Sequence, residues 1–484
     1  MNWRAFLGVA LFWCALAGAS AAPLPRLQVS ADGHRLERED GSTFFWLGDT
    51  AWRLVIKSRR ENGPDQPAVA RYFERRAAQG FNVLQTALGS SLTNPRNAYG
   101  HEPFVDGDFT RPAIAAGPAN DFWDYVDEVL GLAARHGIYV ALLPWWGDAI
   151  PDGHALMQDL RVAYRYGHWL GARYRDQTHI FWVLGGDTKP ERNESHPARV
   201  RMWRAMAEGL ADGTNGVDAF DGRADWGTTL ISYHPGGGGR SSADYLHDEP
   251  WLDFNLIQTT TAFAFDNWRT VTASFLREPP KPVLDSEVAY EESLSLDPAE
   301  RAARPGARTT AWDARRAAYW DVFAGGFGHT YGHRSFIGWM RRDEKGGNGA
   351  DTPWFDRLDA PGATQMIHLR RLVESLPSPA RVPDQTVILK APGEGTAHNQ
   401  AMRAADRSYA LIYSPEGRPF SLKLAALRGP RLATAWFDPR TGMRQPTVPA
   451  GVAAGPGAPE QKFVPSGTPG PDNDWVLVLL PEQA

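Results

Sequence analysis

The stretch FWDYVDEVLGLAARHGIYVALLPWWGD, residues 122–148, carries two hydrophobic periods in succession. Phe122, Val126, Val129, Leu130 and Ala133 recur at three- and four-residue intervals, which places them on one face of a helix, and Gly137 stands where a helix C-cap belongs. From Ile138 the pattern becomes a continuous apolar run that ends at Trp145, Trp146 and Asp148. A strand with one wet face would alternate, so a run apolar at every position suits a strand covered on both faces, as in a parallel sheet. The unit reads as a helix feeding a buried strand that delivers polar chemistry at its C-terminal end.

The same kind of run recurs along the chain: TFFWLGDTAW (43–52), FNVLQTA (81–87), IYVALLPWWGD (138–148), IFWVLGGD (180–187), TTLISYHP (228–235), LDFNLIQTT (252–260), KPVLDSE (281–287) and GHTYGH (328–333). AVARYFERRAAQG precedes the second and AYRYGHWLGARYRDQ the fourth, both with helical spacing. Strands alternating with helices through eight units predict a (β/α)8 TIM barrel over residues 27–376. A doubly wound open sheet is the competing architecture, but GFGHTYG near residue 328 has the glycines of a phosphate loop without its spacing. Beyond the helix QMIHLRRLVESL (365–376) the pattern changes to TVILK, SYALIYS, ATAWFD and WVLVLL between Gly and Pro turns. This predicts an antiparallel β-sandwich over residues 377–484.

The first residues, MNWRAFLGVALFWCALAGASAAP, combine Arg4, an apolar core and an Ala19-Ser20-Ala21 cleavage site, so residues 1–21 read as a signal peptide and the protein as secreted or periplasmic. Cys14, the only cysteine, lies in that leader, which excludes disulfide, thiolate and cysteine–metal chemistry from the rest. The net charge of −5 and the lack of Lys/Arg runs argue against nucleic acid, and no later apolar run is long enough for membrane insertion.

Almost every run ends in polar side chains: Asp49, Gln85, Asp148, Asp187, Tyr233 and His234, Gln258, Asp285 and Glu287, then His329, Tyr331 and His333. In a barrel those ends surround one mouth, where active sites are built. Paired carboxylates from different strands, in a mouth rich in Trp and Tyr, are the equipment for glycoside hydrolysis, with carbohydrate as the partner and no cofactor required. By analogy with barrel glycosidases, whose acids sit on strands four and seven, Asp187 is assigned as general acid/base and Glu287 as nucleophile. Asp285 and Glu287 share strand parity, which predicts that both face the mouth with Asp285 one layer deeper as a hydrogen-bonded support. Trp52, Trp145 and Trp146 are the candidate sugar platforms, and Gln85, Tyr233, His234, Gln258, His329, Tyr331 and His333 the candidate hydroxyl partners. Asp49 and Asp148 would orient hydroxyls or cap the following helix; Asp187 too has the helix-cap reading, and Glu287 the alternative of pairing with Arg334. The His329, Tyr331, His333 trio lacks an acid at metal-ligand spacing, so no metal is expected. A G-x-S-x-G elbow and an H-E-x-x-H helix are both missing, which disfavours serine hydrolase and metalloprotease chemistry.

FFWLGDTAW, GFNVLQTA, LLPWWGD, IFWVLGGD, SYHPGGGGRSS, WLDFNLIQT, KPVLDSEVAYE and FAGGFGHTYGH together resemble the apiosidase-like glycoside hydrolases of family 140. The tail, with AWFDPRTG at 435–442, resembles the small β domain that follows such barrels and carries a collagen-binding label. The resemblance implies an exo-acting enzyme that removes apiose from a branched plant pectin, with Asp187 as acid/base and Glu287 as nucleophile. An Asp after two glycines stands where the wider clan has Asn-Glu on strand four, which leaves retention or inversion to be decided by the separation of the carboxyls. A carbohydrate- or matrix-binding protein without catalysis is the second reading, and a polysaccharide lyase the third.

Overall fold

The computed structural model describes residues 23–188 and 196–482; the signal-peptide assignment lies outside the described residues. All eight expected barrel strands form: β1 (Trp46–Thr50), β2 (Val83–Ala87), β3 (Tyr139–Leu143), β4 (Ile180–Thr188), β5 (Ile231–Pro235), β6 (Phe254–Gln258), β7 (Val283–Glu287) and β8 (Gly328–Tyr331). Their hydrogen-bonded order runs β7-β6-β5-β4-β3-β2-β1-β8, parallel throughout. β7 and β8 meet to close the barrel, with Phe327 N donating to Val283 O at 3.0 Å.

Alternation sorts each strand's side chains onto two buried faces, which is why the runs are apolar throughout. Trp46, Val83, Tyr139, Phe181, Phe254 and Leu284 fill the barrel interior. Leu84, Val140, Leu142, Trp182, Leu184 and Ile231 face the surrounding helices. These helices are α1 (Ala70–Ala78), α2 (Phe122–Arg135), α3 (Leu160–Tyr174), α4 (His196–Asn215), α5 (Asn267–Phe275), α6 (Ala311–Phe323) and α7 (Pro361–Glu374); β5 is followed by a single turn, Ala243–Leu246. Asp121 caps α2 by accepting from the Trp123 and Asp124 amides, an arrangement that contributes on the order of 1 kcal/mol. α3 and α4 touch backbone to backbone, because Gly167, Gly171, Gly209 and Gly213 leave no Cβ between them; one added at Gly209 would stand 2.1 Å from Tyr164 O.

Past α7 the chain forms a sandwich. A six-stranded antiparallel sheet takes the spatial order 381–383, 400–404, 410–414, 475–481, 431–437, 444–453, and a three-stranded sheet comprises 388–390, 420–423 and 460–463. Ile412, Phe420, Leu422, Trp436 and Leu477 pack between the sheets. The outer face of the larger sheet joins the barrel's own core, with Leu411, Tyr413 and Val478 against Tyr319, Trp320 and Phe323 of α6. Arg315 of α6, 1% exposed, grips the fully buried Asp474 through two bonds of 2.9 and 2.8 Å. Trp320 Nε1 donates to His398 O at 2.9 Å. Helix α6 is therefore buried nearly all round, with Asp313, Arg315, Arg316 and Asp321 among its buried residues, as expected of a helix with core on both sides.

Candidate active site

The C-terminal ends of β4, β5, β6 and β7 converge on Asp187, His234, Gln258 and Glu287. One donor atom each from Asp187, His234 and Glu287 lie within 4.8 Å of one another. His234 Nε2 stands 3.0 Å from Glu287 Oε2, off the line of the ring's N–H bond, and Gln258 Nε2 donates to Asp187 Oδ1 at 2.8 Å.

Two local breaks in the ladder aim the carboxyls. Gly185, Gly186 and Asp187 all take left-handed backbone conformations, with φ of 85°, 102° and 55°, and the β4–β5 register slips between Gly185 and Thr188. Glycine is required at both leading positions: a Cβ on Gly185 would lie 2.4 Å from His234 O, and one on Gly186 would lie 3.0 Å from Gly147 N and the Trp146 ring. Gly185→Ala should lower stability by about 2 kcal/mol or more, from left-handed strain and backbone overlap, read as a fall in Tm of about 2 °C or more for a chain of this length; an unchanged melt would show that the turn relaxes freely.

On β7 the pairing runs Asp285 with Ile257, then Glu287 with Gln258, so two residues advance on β7 for one on β6. This bulge turns Glu287 inward. It also corrects the parity argument made from the sequence. Asp285 shares the face of Val283, which packs against Val271, Phe275 and Ala324 on the helix side, and Glu287 reaches the mouth only because the bulge breaks the alternation.

Burial, together with the neighbouring Glu287 charge, pushes the Asp187 carboxyl up to about 6. Burial works against protonating His234, yet its contact with Glu287 wins and holds the imidazole above its ordinary value. The site thus pairs an acid whose titration is moved up to about 6 with a second carboxyl group, 16% exposed and flanked by a fully buried, cation-prone ring.

The other expected site residues divide by face. Trp52 and Trp146 meet edge-on at 4.8 Å, and their rings lie 5.1 and 5.7 Å from the His234 ring, so both border the site. Asp148 is exposed at the rim, and its charge acts on Asp187. Gln85 points into the barrel beneath the mouth and donates to Ser286 O at 3.3 Å.

The remaining residues are not brought there. Asp49 faces outward, 2.6 Å from Arg76 and accepting from Tyr72 at 2.8 Å. Tyr233 also faces outward, against Thr188 at 2.5 Å. His329 meets Asp321 at 3.0 Å, and Tyr331 donates to Glu291 at 2.5 Å, both on the helix side. His333 caps the turn Arg334–Ile337. Trp145 is buried among Phe104 and Phe109. All of these lie one residue out of phase with the mouth or past the strand's end.

Tyr290 joins the site without any signal in the strand pattern. Its hydroxyl lies beside Glu287, Trp52 and Thr50, and burial followed by the Glu287 charge pushes it well above its ordinary value. It stands three residues past Glu287, after a left-handed Ala289, where no strand periodicity applies. Arg334, considered as an ion-pair partner of Glu287, donates its Nε to Gly347 O at 3.1 Å and acts on Glu287 only as a nearby charge. The spacing of Asp187, His234 and Glu287 would also suit a divalent cation.

A family model described as "Apiosidase-like, catalytic domain" matches residues 30–379, and one described as "Putative collagen-binding domain of a collagenase" matches residues 382–480. Among solved structures, a protein titled glycoside hydrolase shares 28% identity over 95% of this chain and 97% of its own, with a TM-score of 0.81. A family 5 glycoside hydrolase from Bacteroides vulgatus ATCC 8482 shares 29% identity over 94% of this chain and 93% of its own, with a TM-score of 0.79. No curated protein matches the chain.

Proposed function

The chain is a glycoside hydrolase of the apiosidase-like family, and from that premise we propose that it releases a terminal pentose, apiose or a close relative, from plant pectic polysaccharide with retention of configuration. Family membership supports the sugar, the polymer and the exo-action; the leader at residues 1–21 supports export. Retention is supported by a single observation, the approach of Asp187 and Glu287 oxygens to within 4.8 Å. Retaining pairs stand about 5–5.5 Å apart, whereas inverting pairs need about 6.5–9.5 Å to admit a water.

In the first step a Glu287 oxygen attacks the anomeric carbon, the glycosidic C–O bond breaks, and the Asp187 proton passes to the leaving oxygen. Esterification removes the Glu287 charge, one of the causes that hold the Asp187 pKa up. Asp187 then becomes the stronger acid and, once ionised, accepts a proton from the incoming water. That water attacks the same carbon, the ester bond breaks, and the Glu287 carboxylate is restored. Gln258 orients the acid by donating to Asp187 Oδ1 at 2.8 Å, and Trp52 and Trp146 border the space for the sugar ring.

The experiment is to incubate the protein with a panel of pectic and arabinan-type oligosaccharides, identify the monosaccharide set free, and follow its anomeric configuration by NMR from the first minutes. A pentose released in the configuration of its glycoside is expected. An inverted product would refute the retaining step, and binding without release would favour the carbohydrate- or matrix-binding reading.

A further inference from the structure

We propose that Asp285 and Asp321 position the Glu287 nucleophile by closing the barrel seam beside it, an inference that rests on the reading of Glu287 as nucleophile. The hydrogen-bonded ladder of the barrel has its two ends at β7 and β8, so the strand that carries Glu287 has a continuous partner, β6, on one side. On that side too the bulge between Asp285 and Glu287 interrupts the ladder. A nucleophile at the end of such a strand needs its backbone held by something other than regular pairing.

Two buried carboxyls supply that hold. Asp321 projects from α6 into the seam, where both of its oxygens lie 3.1 Å from the Asp285 amide that donates to them. The Asp285 carboxyl in turn accepts the Glu287 amide at 3.3 Å on one oxygen and the Thr259 hydroxyl on the other. Thr259 N donates to Glu287 O at 3.2 Å, so the peptide on each side of the Glu287 Cα is tied. Asp285 and Asp321 are both 0% exposed. Asp285 faces the helix side, so it does not touch substrate and acts only through Glu287.

The surroundings fix the arrangement. Gly326 makes room for Asp321, because a Cβ there would lie 2.5 Å from its Oδ1. Burial holds the Asp321 carboxyl well above its ordinary range and drives His329, 3.0 Å away, down to about 4. His329 Nδ1 lies within hydrogen-bond reach of Asp321 Oδ2, which fixes the carboxyl's orientation toward the Asp285 amide. The helix that carries Asp321 is itself gripped by the sandwich through Arg315 and Asp474, so the hold on the nucleophile extends into the C-terminal module.

The test uses the full chain and the 4-nitrophenyl glycoside of whichever sugar the panel releases. Nitrophenolate leaves without protonation, so the single-turnover rate of its release reports attack by Glu287 and not proton donation. Asp285→Ala and Asp321→Ala should each lower that rate about 100-fold at saturation, with half-saturation shifted by less than about twofold, the signature of a misplaced reacting group. Asp285→Asn, which keeps an oxygen acceptor for the Glu287 amide, should recover the rate to within about tenfold of the parent.

A folded Asp285→Ala within threefold of the parent, a loss confined to half-saturation, or an Asn variant no better than Ala would each overturn the proposal. If Asp285→Ala does not fold, Thr259→Val decides: a rate about tenfold lower supports the hold, and a parental rate overturns it. Glu287→Gln, run in parallel, separates the two readings. Full turnover there refutes the nucleophile itself, whereas a dead Glu287→Gln beside a fully active Asp285→Ala refutes only the positioning.

Discussion

Glu287→Gln should lower kcat by about 10^4-fold or more while the protein keeps its fold and its capacity to hold sugar. The amide matches the carboxylate in size, so packing against Tyr290 and His234 survives. What disappears is the nucleophilicity of the carboxylate oxygen that forms the glycosyl ester, and the negative charge that stabilises the oxocarbenium-like transition state. The loss should also propagate to Asp187. With the Glu287 charge gone, one cause of its raised pKa is removed, and the acid should titrate lower than in the parent. A sharper version uses Glu287→Ala with azide. A small anion entering the vacated space makes one displacement where the parent makes two, so the glycosyl azide should carry inverted configuration. Parental turnover by Glu287→Gln, or an azide product of retained configuration, would remove Glu287 from the nucleophile's role.

Asp187→Asn should produce the second largest effect, and one that depends on the leaving group. For an oligosaccharide, whose leaving alkoxide is a poor one, kcat/KM should fall about 10^3-fold, within the range that a positioned general acid contributes. For a nitrophenyl glycoside the first step needs no proton, and the single-turnover rate should change by less than about tenfold. The pH profile carries the same argument with a definite sign. Asp187 donates only while protonated, and its pKa is held at about 6, so kcat/KM of the parent on oligosaccharide should decline as pH rises through that value. In Asp187→Asn that alkaline limb should vanish. A limb that persists in the variant would assign the titration to another group, and an equal loss on both substrates would deny Asp187 the role of acid.

The quoted helix and strand at 122–148 show how far local reading reaches. Their periods follow from burial alone, so α2 and β3 fall where the spacing puts them, and the same holds for the other seven strands. Asp187 and Glu287 were legible for a related reason, since each ends an apolar run and in a parallel barrel every run ends at the same mouth. The glycine-mediated contact of α3 and α4 was not legible, because four glycines in two helices acquire meaning only when the helices are laid against each other. Tyr290 was hidden likewise, lying past the strand in a turn with no period to read.

The errors have a common origin. Asp49, Tyr233, His329 and Tyr331 sit at strand ends, yet each falls on the helix-facing half of the alternation, and a shift of one residue separates a hydroxyl partner from a structural ion pair. Straight alternation gives Asp285 and Glu287 one face, whereas the bulge between them sets Asp285 on the helix side and Glu287 in the mouth.

The sequence alone determined the architecture, since hydrophobic period and run length report burial, and burial is what a strand or helix responds to locally. Which end-of-strand side chains face the sugar was decided by the tertiary structure. The left-handed Gly185-Gly186-Asp187 turn and the bulge before Glu287 owe their shape to backbone atoms of neighbouring strands, and to the Asp321 carboxyl arriving from α6, which no local pattern encodes.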